Sequence, residues 1–137
     1  MRVVVDANIV AAALVRPRGW TAKELTRFDV EWFAPESLFR EIEEHAAKLS
    51  DAAGCSRDSL LRRMRRLRVT LVPDADLQAV LDDALVVRAS QIDPDDVPYM
   101  AAVVALSAQH LWTRDHLLLE GFPDLAVVIV PGPNATA

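Results

Sequence analysis

The chain has 137 residues, of which 52% are hydrophobic, and carries twenty acidic and fifteen basic side chains for a net charge of −5. That length sets one domain as the expectation, able to bury about two thirds of its unfolded surface, and the apolar content excludes a disordered chain. The acidic balance argues against a surface that attracts nucleic acid everywhere.

The pattern along the chain predicts alternating strands and helices. Arg2 to Val5 is a β-branched run suited to a central strand, and Ile9 to Val15 starts a helix that Pro17-Arg18-Gly19 breaks. Thr21 with Glu24 reads as a capping box for a helix reaching about Phe28. Val30 to Phe33 is a second strand. Pro35 opens a helix carried by Leu38, Ile42, Ala46 and Leu49. Gly54 ends a loop, and Leu60, Leu61, Met64 and Leu67 define the next helix. Val69 to Val72 is a third strand, stopped by Pro73. Leu77, Leu81, Ala84 and Leu85 mark a helix capped by Asp74 or Asp76, and Tyr99, Val103 and Leu106 mark another that begins near Asp96. Leu111 to Thr113, a short helix His116 to Glu120, and a fifth strand Val127 to Val130 complete the set. Residues 1–130 therefore read as one α/β domain with a mainly parallel sheet and helices on both faces, and Pro131 to Ala137 as a disordered tail.

Several classes drop out. No apolar run approaches the ~20 residues of a membrane span. Met1-Arg2-Val3-Val4-Val5-Asp6 reaches an acid too soon for a secretory apolar segment. Cys55 is alone, which excludes an intramolecular disulfide and a cysteine-based zinc cluster. The expectation is a soluble, cytoplasmic protein with no membrane partner. Gly19, Gly54, Gly121 and Gly132 are the only glycines. They spell neither a dinucleotide fingerprint, nor a P-loop, nor the G-x-S-x-G elbow of a serine hydrolase.

What remains are carboxylates where strands end and helices begin. Asp6 closes a run of three valines, and Asp disfavours strands and resists burial unless paired or metal-bound. Asn8 fits the cap of the following helix better, which leaves Asp6 free to act as a ligand. Glu41 lies close to the Leu38–Ile42–Leu49 stripe at 100° per residue, whereas Glu36, Glu43 and Glu44 point toward solvent. His45 reads as a bystander. Asp93, Asp95 and Asp96 crowd one turn, and at least one of them caps a helix. Asp96, at the mouth of the Tyr99 helix, is the first choice as ligand and Asp93 the reserve. Asp115 ends Leu111-Trp112-Thr113 and doubles as a cap candidate. The carboxyl ends of strands in an open α/β sheet line its ligand crevice, and oxygen donors gathered there suit Mg²⁺ or Mn²⁺.

These residues resemble the PIN-domain nuclease family over nearly the whole chain, and within it the VapC-like toxins. Val3-Val4-Val5-Asp6-Ala7-Asn8 is similar to the family's first motif and Pro35 to Ile42 to its glutamate helix. Asp93-Pro94-Asp95-Asp96 before an Ala-rich helix resembles the third motif, and Thr113-Arg114-Asp115 the fourth. The resemblance implies a doubly wound α/β/α domain with a five-stranded sheet in the order 3-2-1-4-5, an acidic pocket for Mg²⁺ or Mn²⁺, and cleavage of single-stranded or structured RNA. It also implies a homodimer and an antitoxin protein partner within a type II toxin–antitoxin module. On that basis Asp6, Asp96 and Asp115 are metal ligands, Glu41 completes the catalytic set, and Asn8 and Thr113 are supporting hydrogen-bond donors.

Arg57, Arg62, Arg63, Arg65, Arg66 and Arg68 fall within twelve residues. They read equally as a solvated face or, through Arg62, Arg63 and Arg66, as contacts to an RNA backbone. Three other readings compete: an RNA-processing nuclease of the same family without an antitoxin, a phosphoacceptor receiver-like module, and a protein-binding module. A receiver would want paired acids after the first strand and a lysine near the last. Asp6 stands alone, and Lys23 and Lys48 lie far from Val127–Val130 in sequence.

Overall fold

Three consecutive valines without solvent exposure, Val3, Val4 and Val5, form the middle of the molecule. They lie in β1 (Arg2–Val5) of a computed structural model that describes residues 1–132. β1 pairs in parallel with β2 (Glu31–Pro35) on one side and β4 (His110–Trp112) on the other. β3 (Val69–Val72) extends the sheet beyond β2, and β5 (Ala126–Val127) beyond β4. The order is β3-β2-β1-β4-β5 with every pairing parallel, the expected topology.

Alternation along the strand sends Val3 and Val5 to one core and Val4 to another. The first core joins them to Ile9 and Leu14 of α1 (Ala7–Val15), Leu38 of α3 (Ser37–Glu44), Ala46 of α4 (Ala46–Ala53), and Leu60 and Met64 of α5 (Arg57–Arg66). The second joins Val4 and Leu111 to Leu77 of α6 (Asp74–Gln78), Val86 of α7 (Ala84–Ile92), Tyr99 and Met100 of α8 (Val97–Leu106), and Leu118 of α9 (His116–Gly121). A parallel sheet covered on both faces needs strands that are apolar throughout, which is why β1 does not alternate with polar residues.

Local chemistry shifts several expected boundaries. Thr21 is not a cap: Gly19 precedes α2 (Trp20–Glu24), which ends well before Phe28, and Thr21 is buried inside it. Glu24 pairs instead with Arg27 at 3.3 Å. The expected single helix from Pro35 to Leu49 breaks at His45, whose backbone (φ −102°, ψ 10°) separates α3 from α4. The helix expected around Leu77 to Leu85 is two, α6 and α7. Its cap is neither Asp74 nor Asp76 but Asp83, whose Oδ1 accepts from Leu85 N at 2.9 Å to start α7. β5 stops at Val127, leaving Val128 and Ile129 exposed. Arg27 then clasps the chain, donating to the carbonyls of Val130 and Pro131, each at 3.2 Å. Of the expected tail, residues 133–137 lie outside the described residues. Among the described residues no helix is long and apolar enough to cross a membrane.

Burial sets the sensitivity of this frame. Leu38 is fully buried on the helix that carries Glu41, so Leu38→Ala should cost about 2–5 kcal/mol in urea unfolding. Phe28 is 91% exposed with the Arg68 guanidinium over its ring, so Phe28→Ala should cost less than about 1 kcal/mol.

Candidate active site

Because all strands are parallel, the residues that follow β1 and β4 emerge at one edge of the sheet. Asp6 leaves β1 there and is 7% exposed. Its Oδ1 accepts from Ala7 N at 2.8 Å and its Oδ2 from the Thr113 hydroxyl at 2.6 Å. Asp6 is thus itself the cap of α1, and Asn8, expected in that role, lies within the first turn. Asn8 Oδ1 accepts the Arg114 backbone N–H at 3.3 Å. Burial raises the Asp6 pKa and the Asp115 charge adds to that, while the bonds from Thr113 and Ala7 oppose it.

Thr113 joins two chain segments. Its hydroxyl donates to Asp6 and accepts the Asp115 N–H at 3.0 Å. Asp115 is half-buried and caps α9 through Leu117 N at 2.9 Å. Capping occupies one of its oxygens, and its charge still acts on both Asp6 and Asp96.

The acids of the third motif divide their tasks. Asp93 caps the 3-10 turn Pro94–Asp96 by accepting from Asp95 N at 3.0 Å. Asp96 sits at the start of α8 without making a capping bond. It is 9% exposed, and its Oδ2 is buried with no hydrogen-bond partner among the described residues. Burial, then repulsion from Asp6, Asp93, Asp115 and Asp95, pushes its pKa up to about 7.

Glu41 is the half-buried acid of α3, with Glu43 and Glu44 exposed beside it. Its Oε1 accepts from the Tyr99 hydroxyl at 3.2 Å. Burial raises the Glu41 pKa, Tyr99 opposes the shift, and the charge of Asp6 adds to it. Glu36, expected to face solvent, instead takes the Asp74 N–H at 2.9 Å and fastens α3 to α6. Tyr99 was read from sequence only as an apolar marker of its helix. Its position three residues after Asp96, on the inward face, was the available signal for a polar role. Its pKa is raised by burial and by Glu41.

The charge of Asp6 therefore acts on both Glu41 and Asp96, and that of Asp115 on Asp6 and Asp96. Among the described residues, however, no three His, Cys, Asp or Glu side chains are gathered into a set that could hold a metal ion as they stand. The donor chemistry fits a hard divalent cation on one specific observation: a buried carboxylate oxygen on Asp96 without a partner, amid like charges, lacks the counter-charge its burial calls for. The arginines of α5 are divided in use. Arg63 is half-buried and donates to the Leu14 carbonyl at 3.0 Å, a structural bond that engages one of the three expected RNA contacts. Arg62 is exposed and donates to Ser59 Oγ at 3.1 Å, and Arg66 is exposed.

The crowding has a pH signature. Asp96 keeps its proton to about pH 7 in the folded chain, against an ordinary value of 3.8. Between those values the folded state binds more protons than the unfolded one, so stability falls as pH rises through 7. Metal-free protein should therefore melt at a higher temperature at pH 5 than at pH 8. Asp96→Asn should flatten that difference in a thermal melt and raise the melting temperature at pH 8.

Comparison with known proteins agrees with this architecture. A protein-family model described as PIN domain matches residues 4–125, from within β1 to just before β5. No curated protein matches the chain. PIN domains are generally nucleases and typically use divalent metal ions. The match covers most of the 137 residues, and the sheet order is that of the PIN fold. The chain belongs to the PIN-domain family.

Proposed function

We propose that the protein is a Mg²⁺- or Mn²⁺-dependent endoribonuclease that cleaves single-stranded RNA, acting as the toxin of a toxin–antitoxin pair. The observation that carries the chemical part is the buried, unpartnered Asp96 Oδ2 facing the charges of Asp6 and Asp115. Asp6, Asp96 and Asp115 would hold the cation, with Glu41 at the border of the pocket. A divalent ion there supplies the counter-charge, Lewis acidity and lowered water pKa that phosphodiester hydrolysis requires.

The chain's own residues prepare the pocket. Thr113 and Ala7 fix both oxygens of Asp6, so its orientation is set before any ligand arrives. Tyr99 holds Glu41 and keeps a carboxylate on the pocket side of α3, where it can orient water or accept a proton. Asp93, by taking the cap of the turn, leaves Asp96 free. RNA as substrate, pairing of two copies, an antitoxin protein that blocks the site, and a cytoplasmic setting rest on the likeness of the four motifs to PIN toxins.

Asp6→Asn and Asp96→Asn should each lower metal-dependent RNA cleavage by more than roughly 100-fold, beyond what losing an outer partner of a metal site costs. Asp93→Asn should keep most of the activity, and removing the cap altogether with Asp93→Ala should cost about 0.5–2 kcal/mol of stability. Cleavage of a labelled single-stranded RNA with and without EDTA checks both, and wild-type rates from Asp96→Asn would remove it from the site.

Glu41→Gln should slow cleavage, whereas Glu43→Gln on the same helix should not. Induced expression of the wild type, but not of Asp6→Asn, should arrest cell growth. RNA cleavage in vitro without growth arrest would instead indicate an RNA-processing nuclease that works without an antitoxin.

A further inference from the structure

The acids that fit a cation repel a polyanion, so a nucleic-acid strand needs attractive contacts beside them. The described surface provides these on the α1–α2 side. A recess of about 640 Å³, within the ~300–1,000 Å³ range of small-ligand sites, is lined by Asn8, Arg16, Trp20, Thr21, Leu49 and Arg114 among others. Asn8 and Leu49 also line an adjoining recess of about 350 Å³ that contains Glu41, His45 and Lys48. The two form a run from the Glu41 side of the acidic pocket, across Asn8, to Trp20.

Trp20 is 51% exposed at the start of α2, unusual for so large an apolar ring. It packs against the buried Trp112 with ring centroids 6.1 Å apart and planes at 88°. Edge contact of that kind leaves at least one face of the Trp20 ring clear of Trp112. The neighbouring cation is held in place: Arg114 Nη2 donates to Thr21 Oγ1 at 2.9 Å, and its backbone N–H is tied to Asn8. Arg114 stands between Thr113 and Asp115 in sequence, so its position is set by the same segment that supports Asp6. An aromatic face with a fixed guanidinium beside it suits an unpaired base and its flanking phosphates, since every base has a π-face and stacking tolerates any sequence.

We propose that this recess is a base-binding subsite for single-stranded RNA, with Trp20 as the stacking platform and Arg114 and Arg16 as contacts for the adjoining phosphates. The proposal rests on the ribonuclease reading above and deepens it by naming residues that would position the strand.

Intrinsic fluorescence reports on this subsite directly, because Trp32 and Trp112 are buried and Trp20 is not. In EDTA, where metal-dependent cleavage is silent, a short unstructured oligoribonucleotide of A and C should quench the wild-type signal. Trp20→Ala should weaken its binding, followed with a labelled strand, by roughly tenfold or more. Trp20→Phe should retain most of the affinity and serves as the variant that keeps the ring packed on Trp112. Arg114→Gln should weaken binding and lower the slope of log affinity against log salt by about 1. Inorganic polyphosphate should compete without quenching. Absence of quenching, or RNA affinity unchanged in both Trp20→Ala and Arg114→Gln, would overturn the subsite, as it would if the recess serves a protein partner instead. Such a result alongside metal-dependent cleavage by the wild type leaves the nuclease reading standing. Trp20-dependent quenching without cleavage leaves the subsite standing and sinks the nuclease reading.

Discussion

On the proposed reading, Asp6 must stay charged enough to attract a cation while it is itself buried at the end of a strand with three fully buried valines. Its two oxygens are satisfied by different devices, the start of α1 and the hydroxyl of Thr113 from across the β1–β4 pairing. Burial raises the pKa values of Asp96 and Glu41, which come from other segments, and the Asp6 charge adds to both shifts. The arrangement withstands this repulsion because the apolar frame around it is continuous. Val3, Val4 and Val5 feed both cores, and helices cover both faces. A buried acid is tolerated where the surrounding packing over-determines its position.

Topology does the assembling. Parallel neighbours put the carboxyl ends of β1 and β4 side by side, so Asp6, Thr113 and Asp115 meet although 107 residues separate Asp6 from Thr113. Helix α3 then brings in Glu41 and the start of α8 brings in Asp96, and the Tyr99 hydroxyl of α8 donates to Glu41. Asp6 and Asp115 cap α1 and α9 themselves, whereas Asp96 and Glu41 have neighbours that take the structural task. Asp93 caps the turn so that Asp96 is spared, and Glu36 fastens α6 while Glu41 faces Tyr99.

Strand positions were readable because β-branched runs ending at acids have few other uses, and Glu41 could be separated from Glu43 and Glu44 by helical angle alone. The strand order came from the likeness of the motifs, not from periodicity. What could not be read depended on contacts distant in sequence. Asp6, with an extended backbone, caps α1 itself, and the Asn8 oxygen takes the N–H of Arg114, more than a hundred residues away. Glu36 looked like a solvated acid because its partner is a backbone N–H 38 residues later. By contrast, the start of α7 is set by the local Asp83 cap on Leu85 N, and the break at His45 lies in a non-helical backbone that the apolar spacing does not mark. Trp20 carries no signal in the local pattern, and its exposure on the recess that Arg114 also lines follows only from the fold.

In the proposed cation centre, Asp96 supplies a buried oxygen among the crowded acids. Calorimetric titration of Mn²⁺ into metal-free protein, in buffers of different ionisation enthalpy, tests it most directly. With the Asp96 pKa raised to about 7, binding near pH 6.5 should displace a proton, and the release should shrink by pH 8.5. Asp96→Asn should lose both the proton release and most of the affinity. Mn²⁺ binding of equal strength in wild type and Asp96→Asn, or no binding in either, would contradict the account.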